Sequence, residues 1–357
     1  MSEGKPFINC GKLHDFYNAF TYNDETEIVF LRAFNETLRW HVLRCPEYKA
    51  WLSAYGFTNF RQIHKPFEIP LMPVSLFKKF TLSSTFYDLI KYDFGSVSYD
   101  NHDNSHIILE ARSWKRLLKI ISNELKSLGF IKPELKHNYI CFSKDPNLKL
   151  NIINDFIFDI LTSQTAHRSV FYTYKNESGN NFINWEQTLK RLSDFSMRPE
   201  PLFIIATYSE LKQLCDIIEI ERLKFNLSNN SAILCLSGIT ESFDLMDEFL
   251  IKKIRNLFGL GRSKIRNIFW VKEQMFPLIT CECGAFHIPV YSKAEILEPE
   301  YMQAVEYGET GLLGLVTPFL TSYPAFSLLT NYLVHQEKSC SCGRNGFAFK
   351  FDGFIKI

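Results

Sequence analysis

Pro201-Leu202-Phe203-Ile204-Ile205-Ala206-Thr207 opens the stretch that decides the fold. Leu202 to Thr207 reads as a strand, and Ser209 to Ile218 as the helix after it. Ala232-Ile233-Leu234-Cys235-Leu236 then reads as a second strand, followed by the glycine-bearing turn Ser237-Gly238-Ile239-Thr240. The same alternation continues on both sides. Upstream, Asn154 to Thr162 reads as a helix, Val170 to Tyr174 as a strand and Trp185 to Phe195 as a helix. Downstream, Phe243 to Phe258 completes the series as a helix. Short apolar runs alternating with helices predict an α/β fold with a mostly parallel, helix-covered sheet.

Further upstream, Thr81 to Phe130 reads as strand, loop, strand, helix. The loop runs from Asp93 through Gly95-Ser96-Val97-Ser98 to Asn104, the second strand is Ser105 to Leu109, and Ser113-Trp114 opens the helix toward Leu128. The first 60 residues read as helical. Asp24-Glu25-Thr26-Glu27 fits a capping box, with Asp24 as cap and Glu27 reaching back. Ile28, Leu31, Phe34, Leu38 and Val42 recur at helical spacing, and Pro46 should end this helix near Arg44. The C-terminal third changes character, with strand-like runs at Ile288 to Tyr291 and Leu312 to Val316 among Gly, Pro and paired cysteines. These shifts divide the chain into a helical segment (1–80), an α/β core (81–275) and a β-rich C-terminal subdomain (276–357).

Composition narrows the partners. The chain has 357 residues with 40 basic and 39 acidic side chains, so no strong field favours a polyanion and nucleic acid is not expected. No apolar run approaches the ~20 residues of a membrane span. The N-terminus shows no basic segment followed by an apolar one, and the nine cysteines are odd in number. Together these predict a reduced, cytoplasmic protein without a disulfide framework.

Five cysteines are scattered singly, while four form two pairs, Cys281-Glu282-Cys283-Gly284 and Cys340-Ser341-Cys342-Gly343. Thiolate pairs on tight turns suit tetrahedral zinc, and a glycine after each lets the backbone turn toward the sulfurs. The expected site is a structural zinc on Cys281, Cys283, Cys340 and Cys342, with His287 as an alternative to one thiolate. A chemical reading of Cys340 or Cys342 as an acyl-accepting thiolate stays open beside it.

Three further features carry candidate chemistry. Gly95, Ser96 and Ser98 present a small polar loop whose amides suit phosphate. Ser237 and Gly238 follow a predicted strand, the place where open α/β sheets bind ligands. Glu273, in Trp270-Val271-Lys272-Glu273-Gln274, has the chemistry to orient a metal-bound nucleotide. His41, His64 and His167 have no spacing that favours catalysis over ordinary core or surface roles.

Together these elements resemble the acyl-protein synthetase family of LuxE type, a branch of the adenylate-forming ligases. The likeness runs over nearly the whole chain. It rests on Ile69-Pro70-Leu71-Met72-Pro73-Val74-Ser75-Leu76-Phe77-Lys78, the Gly95 loop with its following strand, Ser237-Gly238 and Cys281 to Pro289. It continues in Gly308-Glu309-Thr310-Gly311-Leu312-Leu313-Gly314, Ser322-Tyr323-Pro324 and Cys340 to Arg344. The resemblance implies ATP-dependent activation of a carboxylic acid, typically a fatty acid, to an acyl-adenylate. The acyl group would then pass to a protein thiol and on to a partner such as an acyl-CoA reductase or an acyl carrier.

By the same resemblance, Gly95, Ser96 and Ser98 would hold phosphate, Ser237 and Gly238 the adenine, Asn331 the ribose and Glu273 the Mg²⁺. Lys356 would substitute for the lysine of the mobile C-terminal domain found in larger relatives, a domain expected to be absent here. The loop Asp93-Phe94-Gly95-Ser96-Val97-Ser98 departs from the family's Ser/Thr/Gly-rich pattern by its acid, and Asn331 replaces an acid. The alternative implied by these departures is a catalytically degenerate, zinc-stabilised scaffold of the same fold that binds an acyl group or a partner.

Overall fold

The structure, a computed structural model, describes residues 7–58, 60, 62–94, 106–132, 134–146, 153–177, 180–238 and 244–355. The chain forms two compact units. One holds residues 128–270 and 277–284; the other combines 1–127, 271–276 and 285–357. The residues expected as a helical N-terminal segment therefore share a unit with the β-rich C-terminal part.

The first unit is built on the alternation read from the sequence. Its six-stranded sheet runs in the order Phe276–Ile279, Ile265–Val271, Ala232–Ser237, Leu202–Thr207, His137–Cys141, Arg168–Tyr172. The last five of these strands pair in parallel. Leu202–Thr207 begins and ends where its apolar run does. Helices Ile153–Thr162, Trp185–Ser196, Tyr208–Ile220 and Glu248–Phe258 supply the connections. Ile204, Ile233, Leu214, Ile251, Ile254 and Phe258 belong to one buried cluster formed by strands and helices. The helix expected from Phe243 starts at Glu248 instead, because Asp247 caps it by accepting from the Leu250 amide at 2.7 Å.

The second unit carries a sheet of the other kind. Its main sheet runs Phe286–His287, Ala348–Phe354, Ser327–Gln336, Thr310–Val316, Lys293–Leu297, with antiparallel pairing throughout. Only Met72–Pro73 adds to it in parallel, beside Leu328 and Leu329. Short loops between these strands allow antiparallel neighbours without a helical crossover. The run Ile288 to Tyr291 is not a strand; the chain turns there between Phe286–His287 and Lys293–Leu297.

Helix Asp24–Arg44 ends before Pro46 as expected, but its cap lies one residue earlier. Asn23 accepts from the Thr26 amide at 2.9 Å, and Thr26 Oγ1 accepts from the Asn23 amide at 3.0 Å. Glu27 is thereby released to pair with Lys293. The buried face is rotated too. Ile28 is 50% exposed, whereas Phe30, Phe34, Thr37, Leu38 and His41 are buried.

The polar members of that face satisfy an irregular buried segment, Pro318 to Ser322. Thr37 Oγ1 donates to the Pro318 carbonyl at 3.1 Å and Arg116 to that of Phe319 at 3.1 Å. His41 Nε2 donates to Leu320 at 3.1 Å, Trp40 Nε1 to Thr321 at 2.8 Å and the Ser84 amide to Ser322 at 2.6 Å. Five consecutive carbonyls without a strand partner are thus each matched, as buried backbone requires. Among the described residues no helix is long and apolar enough to cross a membrane.

Candidate functional site

Ser237 is the last residue of strand Ala232–Ser237 and sits at its carboxyl end, beside Phe269 of the neighbouring strand. It is 2% exposed, and its hydroxyl has no hydrogen-bond partner among the described residues. The neighbouring strand ends in Thr207, whose hydroxyl donates to Glu210 at 2.8 Å while the Thr207 amide donates to the same carboxylate at 2.7 Å. Tyr174 donates to the other Glu210 oxygen at 2.7 Å. Of these two hydroxyls, one is consumed by the helix cap and one is left over.

Gly238 follows with φ 77°, and a Cβ there would lie 2.6 Å from the Trp270 carbonyl oxygen and 2.9 Å from the Phe269 ring. Only glycine fits that close approach. A buried polar atom without a partner costs about 1–3 kcal/mol. The Ser237 hydroxyl beside a glycine-walled turn is therefore a place where a ligand's polar edge fits.

The expected phosphate loop joins an antiparallel hairpin, Ile90–Phe94 with Ile107–Glu110. Gly95, Ser96 and Ser98 lie outside the described residues. Asp93, the acid that departs from the family pattern, has its carboxylate 2.5 Å from His106 Nε2, and His106 Nδ1 lies 2.9 Å from Thr81 Oγ1. Its charge is thus engaged at the base of the hairpin. At the hairpin's other end, Glu110 accepts from Ser113 Oγ at 3.0 Å, from Thr321 Oγ1 at 2.5 Å and from the Ser322 hydroxyl. This carboxylate–hydroxyl group was not legible from spacing, because its members are about two hundred residues apart in sequence.

Glu273 lies in a short helical turn, Lys272–Gln274, and is buried. Its carbonyl accepts from Tyr323 Oη at 2.6 Å, and Gln274 donates to the Leu315 and Ala325 carbonyls at 3.1 and 2.9 Å. Burial, with the Glu273 charge added, pushes the Tyr323 and Tyr332 phenols up, so both stay protonated. Asn331 stands on strand Ser327–Gln336 and donates its side-chain amide to the Ile355 carbonyl at 2.9 Å. Lys356 lies outside the described residues.

The two cysteine turns fold alike. The Gly284 amide donates to the Cys281 carbonyl at 3.0 Å, and the Gly343 amide to that of Cys340 at 3.2 Å. The Cys283 amide donates to Cys281 Sγ at 3.4 Å, and the Arg344 amide to Cys342 Sγ at 3.5 Å. The ligand atoms of His287, Cys340 and Cys342 lie within 4.8 Å of one another. His287 Nε2 is 3.3 Å from Cys342 Sγ.

Cys283 is exposed, and His287, the alternative to one thiolate, lies beside Cys342. Two cysteines one residue apart on a tight turn direct their sulfurs differently, which the pattern alone does not reveal. Burial pushes the Cys342 thiol up, but hydrogen bonds from the Arg344 amide, Cys340 and the Arg344 side chain outweigh it and lower it overall.

A family model described as acyl-protein synthetase, LuxE, matches residues 17–356. The chain belongs to the LuxE acyl-protein synthetase family. It is 25% identical over 314 residues to the long-chain-fatty-acid–luciferin-component ligase of Aliivibrio fischeri, covering 85% of this chain and 78% of that protein. Among solved structures, an open conformation of 2-hydroxyisobutyryl-CoA ligase with 2-HIB-AMP and CoA matches with TM-score 0.72. That match has 13% identity and covers 95% of this chain and 78% of the other. The same ligase in its postadenylation state with R3-HIB-AMP gives TM-score 0.71 at 13% identity, covering 96% and 71%. These likenesses establish the adenylate-forming-ligase fold, with its mixed α and β content.

Proposed function

We propose that this LuxE-family chain is an ATP-dependent ligase that activates a fatty carboxylic acid and transfers the acyl group to a protein thiol. The observation that carries the reading is the buried Ser237 hydroxyl, without a partner among the described residues, beside Gly238 at the carboxyl end of a parallel strand. That is where open α/β sheets take nucleotides. Ser237 and Gly238 would receive the adenine, Asn331 the ribose, and Gly95, Ser96 and Ser98 the phosphates.

The acid's carboxylate oxygen bonds to the α-phosphorus, and the bond to the pyrophosphate leaving group breaks. A thiolate then bonds to the acyl carbon and AMP departs with the electron pair. The Lys356 ammonium would offset the charge developing on the phosphate. Glu273 would hold Mg²⁺, which when bound would neutralise charge on the phosphates. A structural zinc on the cysteine turns, a cytoplasmic setting and an acyl-CoA reductase or acyl-carrier partner complete the reading.

The test is carboxylate-dependent exchange of pyrophosphate into ATP over a chain-length series of fatty acids. Exchange that peaks with long chains and falls at least about tenfold in Glu273→Gln is expected, an effect of about 1.4 kcal/mol on the transition state. No exchange with any acid, together with no thermal shift on adding ATP and Mg²⁺, would overturn it.

A further inference from the structure

Helix Asp24–Arg44 ends on two exposed residues, Leu43, at 81%, and Arg44. The segment from Ser83 to Leu89 lies against that end. Ser84 Oγ donates to His41 Nδ1 at 2.7 Å, and the Ser84 amide donates to the buried Ser322 carbonyl. The Leu89 amide then donates to the Phe86 carbonyl at 3.0 Å, closing the short helical turn Tyr87–Leu89. Phe86, Tyr87, Asp88 and Leu89 are all exposed on this turn, Tyr87 at 84%. Four large apolar side chains, Leu43, Phe86, Tyr87 and Leu89, thus meet water around one helix end whose base is fixed by buried hydrogen bonds. Single exposed apolar residues are ordinary, but a cluster on a rigid base marks a contact surface.

The charges around the cluster say what covers it. The Arg44 guanidinium lies 4.7 Å from the centre of the Trp40 ring and 5.2 Å from that of Phe86. It has no carboxylate partner among the described residues, and Asp88, two residues beyond Phe86, has no cation. One surface therefore carries an unpaired charge of each sign beside an apolar centre. A partner of a single charge sign would match only one of them. A second copy matches both, because a two-fold axis through the cluster sets Arg44 against the partner's Asp88 and Asp88 against the partner's Arg44. With 40 basic and 39 acidic side chains, the chain has almost no net charge to hold two copies apart.

We propose that Leu43, Arg44 and Phe86 to Leu89 form the interface of a two-fold homodimer, with reciprocal Arg44–Asp88 pairs around an apolar centre. Exclusion of water from Leu43, Phe86, Tyr87 and Leu89 supplies most of the affinity, and the charge pairs fix the register. The interface is independent of ligase activity.

Sedimentation velocity on the full chain over a concentration series should show a reversible monomer–dimer equilibrium with a dissociation constant of about 10 µM or below. Arg44→Glu and Asp88→Arg should each weaken it at least about tenfold, because the two-fold axis sets like charges together twice. An equimolar mixture of the two variants should dimerise again, since their reversed charges complement each other. Both substitutions alter exposed side chains, and thermal unfolding of each variant checks that it folds. A chain still monomeric at about 100 µM would overturn the interface. So would a dimer that both variants leave intact, or a mixture that stays monomeric. A monomer that binds anionic phospholipid vesicles and loses that binding in Tyr87→Ser would overturn it in favour of a lipid surface.

Discussion

Strand Ala232–Ser237 and the segment Pro318 to Ser322 are both buried, yet they satisfy their backbones by opposite means. The strand hydrogen-bonds to parallel neighbours on both sides, so its backbone needs nothing from side chains. The irregular segment has no such neighbours, and Thr37, Trp40, His41 and Arg116 supply donors instead. The difference decides which polar side chains are available for chemistry. Where a sheet closes the backbone account, a terminal hydroxyl such as that of Ser237 is left over for a ligand. Where it does not, even a buried histidine is structural.

The largest effect expected from this contrast is in His41→Leu. The Leu320 carbonyl and the Ser84 hydroxyl would each lose a partner, at about 1–3 kcal/mol per stranded group. Urea unfolding should show that loss, and a change below about 0.5 kcal/mol would mean the segment is held by other means.

A smaller effect concerns acid. Burial pushes the His41 imidazole down to about 3 despite its bond to Leu320, so it is neutral with Nε2 carrying the proton. The unfolded chain titrates this group near its ordinary 6.5 and so binds more protons between 6.5 and about 3. Stability is therefore complete above that window and falls as pH drops through it, by up to about 1.4 kcal/mol per pH unit. His41→Leu should flatten this acid limb; an unchanged slope would assign the limb to other groups.

The smallest stability effect is expected in Ser237→Ala. The hydroxyl makes no bond to the described residues, so its removal strands no partner and should cost no more than about 0.5 kcal/mol of stability in thermal unfolding. ATP affinity in the exchange assay should nonetheless weaken. A stability loss with unchanged KM for ATP would reverse the comparison and make Ser237 structural.

Legibility followed the range of the interactions. Leu202–Thr207, the helix ending at Arg44 and the turn at Ser237-Gly238 are local patterns, and they lie where the residues place them. The cap at Asn23 was one residue off because Thr26 competes with Glu27 for the same role. The rotated face of helix Asp24–Arg44 was not legible. Its polar members are buried by carbonyls almost three hundred residues away in sequence. The Glu110 cluster was hidden for the same reason.

Read alone, the sequence determined the alternation that makes the parallel sheet, the glycine turn at its edge and the paired cysteines, because periodicity and backbone chemistry act over a few residues. Only the tertiary structure decided that the second sheet is antiparallel, that Asp93 is engaged by His106, and that His287 lies beside Cys342. Those outcomes depend on which distant groups meet and in what direction each side chain leaves its turn. Residue spacing along the chain carries no record of either.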